Sequence, residues 1–466
     1  MSTFRTESDS LGQVLVPQDA YFGAQTQRAV DNFPISTRRF PRGFIRAMGL
    51  LKYCAAQVNR DAGRLPLELA DAILAAAQEV IDGELDDHFV VDIFQTGSGT
   101  STNMNANEVI ANRAIARLGG EVGSKKPVHP NDHVNMGQSS NDIIPTAIHI
   151  AVLEAVTHQL LPALRKLHAA LDEKAMAFDH VIKIGRTHLM DAVPIRLGQE
   201  FSGYAAQIAN GIHRIEGATP HLAELALGGT AVGTGLNAPP GFADQVIAHV
   251  AALTQLPFVQ APNLFEALAA RDAAVALSGQ LKTVATSLMK IANDLRWLSS
   301  GPRCGIGEIT LPSQQPGSSI MPGKVNPVLP EAMMMVCAQI TGNDLAITIG
   351  GQHGNFELNV MMPMLASNLL ESIAILAAAA DAFVRFCVTG LTANPERAMA
   401  FIEQSLSMVT ALAPVIGYDA AAQIAKEAWT SGRTVRELAY EANLVSREQI
   451  DQALDPMRQT GPRRHT

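Results

Sequence analysis

Residues 281–298 read LKTVATSLMKIANDLRWL, and their apolar side chains recur at alternating intervals of three and four residues. This spacing gives a helix one apolar face that packs nearly parallel to neighbouring helices. The pattern predicts one helix of some 35 residues within 262–299, roughly 50 Å long at about 1.5 Å per residue. The apolar positions that form the face are Leu281, Val284, Leu288, Ile291, Leu295 and Leu298.

Similar periodicity predicts four more long helices, which follow Pro145 and Pro194 and cover about 327–350 and 363–390. Pro162 is expected to kink the first of them. Long Ala-rich helices without a generous polar face usually need partners beyond their own chain. We therefore predict an all-α protein with three domains. They are an α-rich domain over 1–139, a central helical bundle over 140–392 that oligomerises, and a small helical domain over 393–466.

The composition supports a helical protein that does not bind nucleic acid. Hydrophobic residues make up 47% of the 466 residues and aromatic residues only 5%. An aliphatic core of this kind favours packed helices over sheets, in which β-branched and aromatic residues usually dominate. The net charge of −9 argues against a nucleic-acid partner, because a basic stripe is needed to neutralise phosphates. An anionic substrate would have to be held by local groups.

The four cysteines, Cys54, Cys304, Cys337 and Cys387, are scattered and form no C-x-x-C pair. This pattern fits reduced thiols of a cytoplasmic protein, not a disulfide framework, a zinc site or an iron–sulfur cluster. The first residues resemble neither a signal peptide nor a transit peptide. We expect no segment long and uncharged enough to span a bilayer. The prediction is a soluble protein without a membrane partner.

Four polar loops between the apolar helices are candidates for a functional site. The first, GSGTSTNMN at residues 97–105, contains neither the Gly-Lys-Ser/Thr of a P-loop nor a dinucleotide-binding fingerprint. One interpretation is a helix N-cap with a flexible approach. The other is a carboxylate cradle in which Ser98, Thr100 and free backbone N–H groups face an anion.

The second loop, HPNDHVNMGQSSND at residues 129–142, contains two candidate clusters. His129, Asp132 and His133 suggest metal ligands, but Pro130 should disrupt the helix that i,i+4 ligation would use. We therefore expect no metal there. The serines and asparagine at 139–141 either cap the long helix that follows or bind a carboxylate at its N-terminus, and the two roles share one geometry.

The third loop is GRTHLMDA at residues 185–192, where a lone histidine between apolar residues is more often structural than catalytic. The fourth is GSSIMPGKVNP at residues 317–327, followed by Glu331. Two glycines, two serines and two prolines around one lysine are unfavourable in a core and typical of a mobile loop. The alternative is a surface turn with a solvated lysine.

The fourth loop closely resembles the signature of the fumarase/aspartase superfamily, whose members eliminate a group beta to a carboxylate. The other three loops follow in that family's order and spacing. The resemblance covers nearly the whole chain, including residues 354–359 (GNFELN) and 433–438 (RTVREL). Thr187-His188 is the fumarase form, because aspartate ammonia-lyases typically carry Gln in place of that His. Gly323 is likewise the fumarase choice.

This resemblance implies a metal-independent hydro-lyase of the class II fumarase kind, active in the citric acid cycle and without a cofactor. The implied reaction is the reversible anti addition of water to fumarate, giving (S)-malate through an enediolate. The resemblance also implies a homotetramer whose core is formed by the central helices, with each active site built from loops of three chains.

The resemblance also implies roles for individual residues. Ser318 would remove the C3 proton, and Lys324 would stabilise the charge that develops. The sequence itself leaves open whether Ser318 or His188 takes this proton. His188, oriented by Glu331, would protonate the departing hydroxyl. The implied substrate-binding residues are Ser98, Gly99, Thr100, Ser139, Ser140, Asn141, Thr187, Ser319, Lys324, Val325 and Asn326. A second, non-catalytic dicarboxylate site is implied at His129, Pro130, Asn131 and Asp132.

Two other functions are compatible with the fold. An aspartate ammonia-lyase is the nearest enzyme, and His188 is the feature against it. A structural protein such as a lens crystallin is the alternative from another class. That alternative predicts loss of the residues that perform chemistry. All of these are present, namely Thr187, His188, Ser318, Lys324 and Glu331.

Overall fold

A computed structural model describes residues 4–461, and most of them lie in α-helices. The prediction of an all-α protein is therefore confirmed. In chain order the helices are α1 (Ala24–Asn32), α2 (Arg42–Asp61), α3 (Leu67–Asp82), α4 (Thr100–Arg117), α5 (Ser140–Ala155), α6 (Leu161–Ala177), α7 (Leu197–Leu222), α8 (Phe242–Thr254), α9 (Leu264–Ala269), α10 (Asp272–Leu298), α11 (Val328–Gly351), α12 (Met362–Phe383), α13 (Pro395–Gln404), α14 (Ala413–Ile416), α15 (Tyr418–Ser431), α16 (Val435–Ala442) and α17 (Arg447–Ala453).

The strands are short and pair two by two within the described residues. The pairs β1–β2, β3–β4, β7–β10 and β8–β9 are antiparallel, and β5–β6 is parallel. Their bounds are β1 (Phe4–Asp9), β2 (Gly12–Pro17), β3 (Ile182–Thr187), β4 (Met190–Arg196), β5 (Glu224–Leu225), β6 (Val259–Gln260), β7 (Ile309–Thr310), β8 (Gly354–Asn355), β9 (Leu358–Asn359) and β10 (Thr392–Ala393).

The chain divides into two compact units, each assembled from three segments. The first unit contains the residues up to 162 together with 213–283 and 339–376; the second contains 163–212, 284–338 and the residues from 377 onward. In the second unit, Ile182 and Ile184 of β3 belong to one apolar cluster with Ile402, Leu412 and Leu438 of the C-terminal segment. The division into three domains at 139 and 392 stays a prediction.

The helix predicted within 262–299 is shorter than expected. Asn263 caps α9 by accepting hydrogen bonds from two backbone N–H groups, and Ala270 then takes an extended conformation that ends this helix. Helix α10 is therefore 27 residues long, or about 40 Å. The apolar face predicted for it is correct, since Leu281, Leu288 and the four other positions of the face are all buried.

The helix predicted to follow Pro145 begins earlier, at Ser140, so Pro145 lies inside α5. This helix is irregular near Pro162. Helices α5 and α6 are separated by a π-helical turn, Val156–Leu160. Pro162 has no N–H to donate to the carbonyl of His158, and a widened turn is one way in which a helix accommodates that loss. The irregularity that we predicted as a kink at Pro162 therefore begins one turn before it.

Two helical stretches, Ser140–Ala177 and Val328–Gly351, are long and apolar enough to cross a membrane by length and composition alone. The expectation that no segment qualifies was therefore wrong. Core helices of a soluble bundle meet the same criteria, because they also lack charged side chains over many turns. The first stretch is mostly buried within the protein, whereas only a third of the apolar window of the second is buried.

Candidate active site

The first unit brings the first two polar loops together at the N-termini of α4 and α5. Gly99, at φ +74°, precedes α4 in the left-handed conformation that glycine tolerates best. Ser139 caps α5, and Asp142 completes a capping box by accepting the Ser139 N–H at 3.0 Å. The capping interpretation is therefore correct for Ser139. Other polar groups of the two loops lie at the same two helix N-termini and could bind a ligand.

A chain of hydroxyl groups joins the two helix ends. The Ser98 Oγ lies 2.8 Å from the Thr100 Oγ1, which in turn lies 2.7 Å from the Ser140 Oγ. The Asn141 side chain donates to the backbone oxygen of Ala231 at 2.8 Å, which fixes its orientation. Hydroxyls, free N–H groups and two helix dipoles at one place suit a carboxylate. We call Ser98, Thr100, Ser139, Ser140 and Asn141 the carboxylate cradle.

The Asp142 side chain supports the cradle from inside the protein. It is completely buried, and its second oxygen accepts the N–H groups of Gly228 and Thr230 at 3.1 and 3.0 Å. Burial raises the pKa of this carboxyl to about 6, although the backbone N–H donors oppose the shift. Asp142 thus connects the start of α5 to the loop at 228–231.

The histidines of the second loop serve as backbone acceptors. His129 Nδ1 accepts the N–H groups of Asn131 and Asp132, each at 3.2 Å, and His133 Nδ1 accepts the N–H of His129 at 2.9 Å. Pro130 begins a single π-helical turn, Pro130–Val134, and does not disrupt it as we had expected. Among residues 4–461, no three His, Cys, Asp or Glu side chains form a group that could hold a metal ion.

The third loop, in the second unit, is the tip of the β3–β4 hairpin. His188 and Leu189 form its two-residue turn, with φ of +56° and +63°. Positive φ at both positions identifies a type I′ turn, for which Asn and Gly are the usual residues. The Thr187, His188 and Leu189 side chains are exposed in the single chain. The conformation is costly for His and Leu, so the turn presents His188 at the expense of stability.

A buried charge network anchors the base of this hairpin. Arg186, next to the turn, makes two hydrogen bonds of 2.8 and 2.9 Å to the fully buried Glu308 carboxylate. Lys183, also buried, lies 3.4 Å from the same carboxylate and 3.2 Å from Glu200. Bidentate Arg–carboxylate pairs restrict geometry strongly. The network therefore fixes the strand that leads into Thr187 and His188.

The fourth loop, also in the second unit, closes on itself. The Gly317 N–H donates to the Lys324 backbone oxygen at 2.8 Å, and the Asn326 side chain donates to the Gly317 oxygen at 2.6 Å. The Ser318 Oγ accepts the N–H groups of Ile320 and Met321 at 3.2 and 3.0 Å. These donors would stabilise negative charge on the Ser318 oxygen.

The lysine of this loop has a partner other than Ser318. Lys324 Nζ donates to Asn326 Oδ1 at 2.6 Å. Lys324 is exposed, whereas Asn326 is half-buried and its amide nitrogen bonds to Gly317. Ser319 and Val325 are exposed beside them. The loop therefore presents one cation and the Ser319 hydroxyl at its surface, and the Ser318 hydroxyl and the Asn326 amide are half-buried.

The expected contact between the acid and its orienting carboxylate is missing from a single chain. Glu331 is exposed in the first turn of α11, and across the described range of the chain it makes no hydrogen bond or ion pair with His188. Both side chains are exposed to solvent. If His188 and Glu331 act as a pair, the two residues must therefore come from different chains.

Sequence reasoning missed the buried charges behind these loops. Lys52 lies beneath the carboxylate cradle, and Glu308 lies beneath the hairpin. Lys52 is flanked at helical spacing by Met48, Ala55 and Ala56, and a lysine within an apolar helix face was a signal that could have been found. Glu308 lies in an irregular segment, and its sequence carried no comparable signal.

Family models and similar proteins of known name all point to the same protein family. A lyase family model matches residues 12–342, and a model of the fumarase C C-terminus matches residues 408–461. The chain is 56% identical to the class II fumarate hydratase of Rhizobium meliloti, over 99% of this chain and 100% of that protein. It is 57% identical to the human mitochondrial fumarate hydratase, over 99% of this chain and 91% of that protein.

A solved structure extends the similarity to the fold. The class II fumarase of Schistosoma mansoni aligns with a TM-score of 0.94 at 43% identity, covering 98% of each chain. Coverage of 98% means that the likeness includes residues of both units. Sequence, family models and fold agree that this chain belongs to the fumarase/aspartase superfamily, among its class II fumarate hydratases.

Proposed function

We propose that this chain catalyses the reversible anti addition of water to fumarate, giving (S)-malate. The observation that carries the proposal is the Ser318 oxygen, which accepts two backbone N–H groups. A serine removes a proton from carbon only if its oxyanion is stabilised, and such donors stabilise it. Membership of the class II fumarate hydratases supports the choice of substrate.

In the dehydration direction, Ser318 takes the C3 proton of malate, and the bonding electrons move onto the adjacent carboxylate as an enediolate. This charge needs preorganised donors, a role that we assign to Lys324 and Asn326. His188 then protonates the C2 hydroxyl, water departs and the enediolate electrons form the double bond of fumarate. Hydration runs through the same steps in reverse. Glu331 is assigned to orient His188.

The other carboxylate of the substrate is assigned to the cradle. Two helix N-termini with short hydroxyl-to-hydroxyl distances match a planar anion that accepts several hydrogen bonds. The proposed substrate-binding residues are Ser98, Gly99, Thr100, Ser139, Ser140, Asn141, Thr187, Ser319, Lys324, Val325 and Asn326.

The proposed assembly is a homotetramer in which each site takes loops from three chains. Two observations on the single chain support it. Thr187, His188 and Glu331 are exposed although their roles require partners. Helix α11 also leaves Met335 and Leu345 68% and 63% exposed, which is unfavourable for large apolar side chains in water.

A second dicarboxylate site is proposed at the π-helical turn that His129 caps. Asn131 is exposed there and can donate from its side-chain amide to a carboxylate, while His129 Nδ1 already accepts the backbone N–H groups of Asn131 and Asp132. A His129→Asn variant tests this site by the stoichiometry of dicarboxylate binding. Stoichiometry and kinetics equal to those of the unaltered protein would count against it.

We further propose that the reaction needs no metal, and that the protein serves the citric acid cycle in the cytoplasm. Malate dehydration is then expected to continue unchanged after treatment with EDTA and exposure to air. Loss of activity that iron or zinc restores would overturn this part of the proposal.

The direct test is absorbance in the fumarate band, with malate, aspartate and argininosuccinate offered separately. Fumarate is expected to form from malate only. Its formation from aspartate would instead identify an ammonia-lyase, and no formation from any of the three would favour a structural role.

A further inference from the structure

The carboxylate cradle lies over a buried lysine that the mechanism above does not use. Lys52, on α2, is completely buried. Its Nζ lies 2.8 Å from Asn103 Oδ1, 3.0 Å from Asn135 Oδ1 and 2.9 Å from Gln138 Oε1. Asn103 belongs to the first turns of α4, and the other two side chains precede α5. Lys52 therefore joins the two helix ends that form the cradle.

The three amide groups are locked with their oxygens toward Lys52. The Asn103 amide nitrogen donates to Asn135 Oδ1 at 3.2 Å, and the Asn135 nitrogen donates to the Gln138 backbone oxygen at 3.1 Å. The Gln138 nitrogen donates to the Val134 backbone oxygen at 3.0 Å. Three acceptors around Nζ match the three N–H groups of an ammonium, whereas a neutral amine offers only two.

Burial opposes the charge that this geometry favours. It lowers the pKa of Lys52 to about 7, and the Asp142 carboxylate opposes that shift. Asp142 is the charged group that α5 presents to Lys52, while α4 and the turn before α5 present neutral amides through Asn103, Asn135 and Gln138. The free site therefore holds its proton less firmly than an exposed lysine does, and a negative charge bound nearby favours the protonated form.

We propose that Lys52 is a positioning residue of the cradle that becomes protonated when a dicarboxylate binds, so that substrate capture takes up a proton. This inference rests on the proposed function, because the ligand is the dicarboxylate of that reaction. The proton comes from water or buffer and binds the lone pair of Nζ. The resulting ammonium holds α4 and α5 together behind the bound carboxylate.

The sign of the pH dependence follows from this linkage. Bound dianion raises the pKa of Lys52, so affinity is fully present below the pKa of the free site. Affinity then falls as the pH rises above about 7, by up to about tenfold per pH unit, until the pKa of the complex is passed.

The experiment is titration calorimetry with succinate, a saturated four-carbon dicarboxylate, at pH 8 in two buffers that differ in ionisation enthalpy. The unaltered protein is expected to take up about one proton per succinate. Lys52→Met should take up none and bind about tenfold more weakly. Lys174→Met, which removes a half-buried ammonium on α6, is the matched control and should behave as the unaltered protein.

Asn135→Asp tests the inference independently of whether Lys52→Met folds. A carboxylate beside Nζ would keep Lys52 protonated before the ligand arrives, so proton uptake should disappear although the lysine is present. Uptake that persists in Lys52→Met would assign the proton to Asp142 and overturn the inference. Succinate binding to the unaltered protein without proton uptake would also overturn it. Failure of succinate to bind, together with no turnover of malate, would reject the proposed function itself.

Discussion

His188 holds a backbone conformation that few L-residues adopt. Its φ of +56° and the +63° of Leu189 each cost about 1 kcal/mol relative to ordinary conformations. The bidentate bond between Arg186 and Glu308 and the packing of Ile184 offset that cost at the base of the hairpin. A strained residue held by a rigid base is typical of functional sites. The geometry therefore favours the catalytic interpretation of a histidine that composition alone left open.

Replacing His188 with Gln should lower the kcat for malate dehydration by about 10² to 10⁴, because a placed proton donor is lost. Ammonia-lyase activity should not appear, since specificity for aspartate requires more than one residue. His213→Gln, on the exposed face of α7, is the control and should retain full activity. Near-normal kcat in the His188 variant would mean that another group protonates the leaving hydroxyl.

The fourth loop depends on Gly317 more than on Gly323. A Cβ at Gly317 would lie 2.5 Å from the Lys324 backbone oxygen, across the hydrogen bond that closes the loop. A Cβ at Gly323 would meet nothing within 4 Å, although the φ of +79° still favours glycine. Gly317 is therefore required because a side chain would clash, whereas Gly323 is only preferred because of its backbone conformation.

Gly317→Ala should displace Ser318 and Lys324 and lower kcat by about 10²-fold, the cost of a misplacement near 1 Å. Gly323→Ala should retain kcat within about tenfold, because it adds only about 1 kcal/mol of backbone strain. Thermal unfolding of both variants should stay close to that of the parent, since the loop is largely exposed. Equal activity of the two variants would contradict this account of the loop.

Much of the fold could be predicted from apolar periodicity, because the helices bury continuous faces. Residue spacing predicted the buried stripe of α10 and the approximate bounds of α11 and α12. It did not predict the break at Ala270, where the backbone becomes extended between α9 and α10, because alanine itself favours continuation of a helix. In the site, the loops that carry polar clusters were recognisable. Buried partners such as Lys52 and Glu308 depend on tertiary packing that spacing does not encode.

The proposed three-chain site predicts complementation between inactive parents. Inactive His188→Asn and Ser318→Ala proteins, mixed equally, unfolded and refolded together, should regain activity toward about a quarter of the unaltered level. When different chains supply the two residues, each is intact in about half of the sites, so both are intact in about a quarter. Each parent refolded alone is the control. A mixture that hybridises and stays inactive would place both residues on one chain.

Helix α11 has a consequence for how the protein is made. Only a third of its apolar window is covered in a single chain, so a newly synthesised chain exposes a surface that other unfinished chains can also bind. Yield of active enzyme should then depend on the rate at which chains meet correct partners, competing with aggregation. Refolding at very low protein concentration should be slow and incomplete, and refolding at high concentration should lose material to precipitate. The best recovery is expected at an intermediate concentration, which a dilution series of refolding yields would reveal.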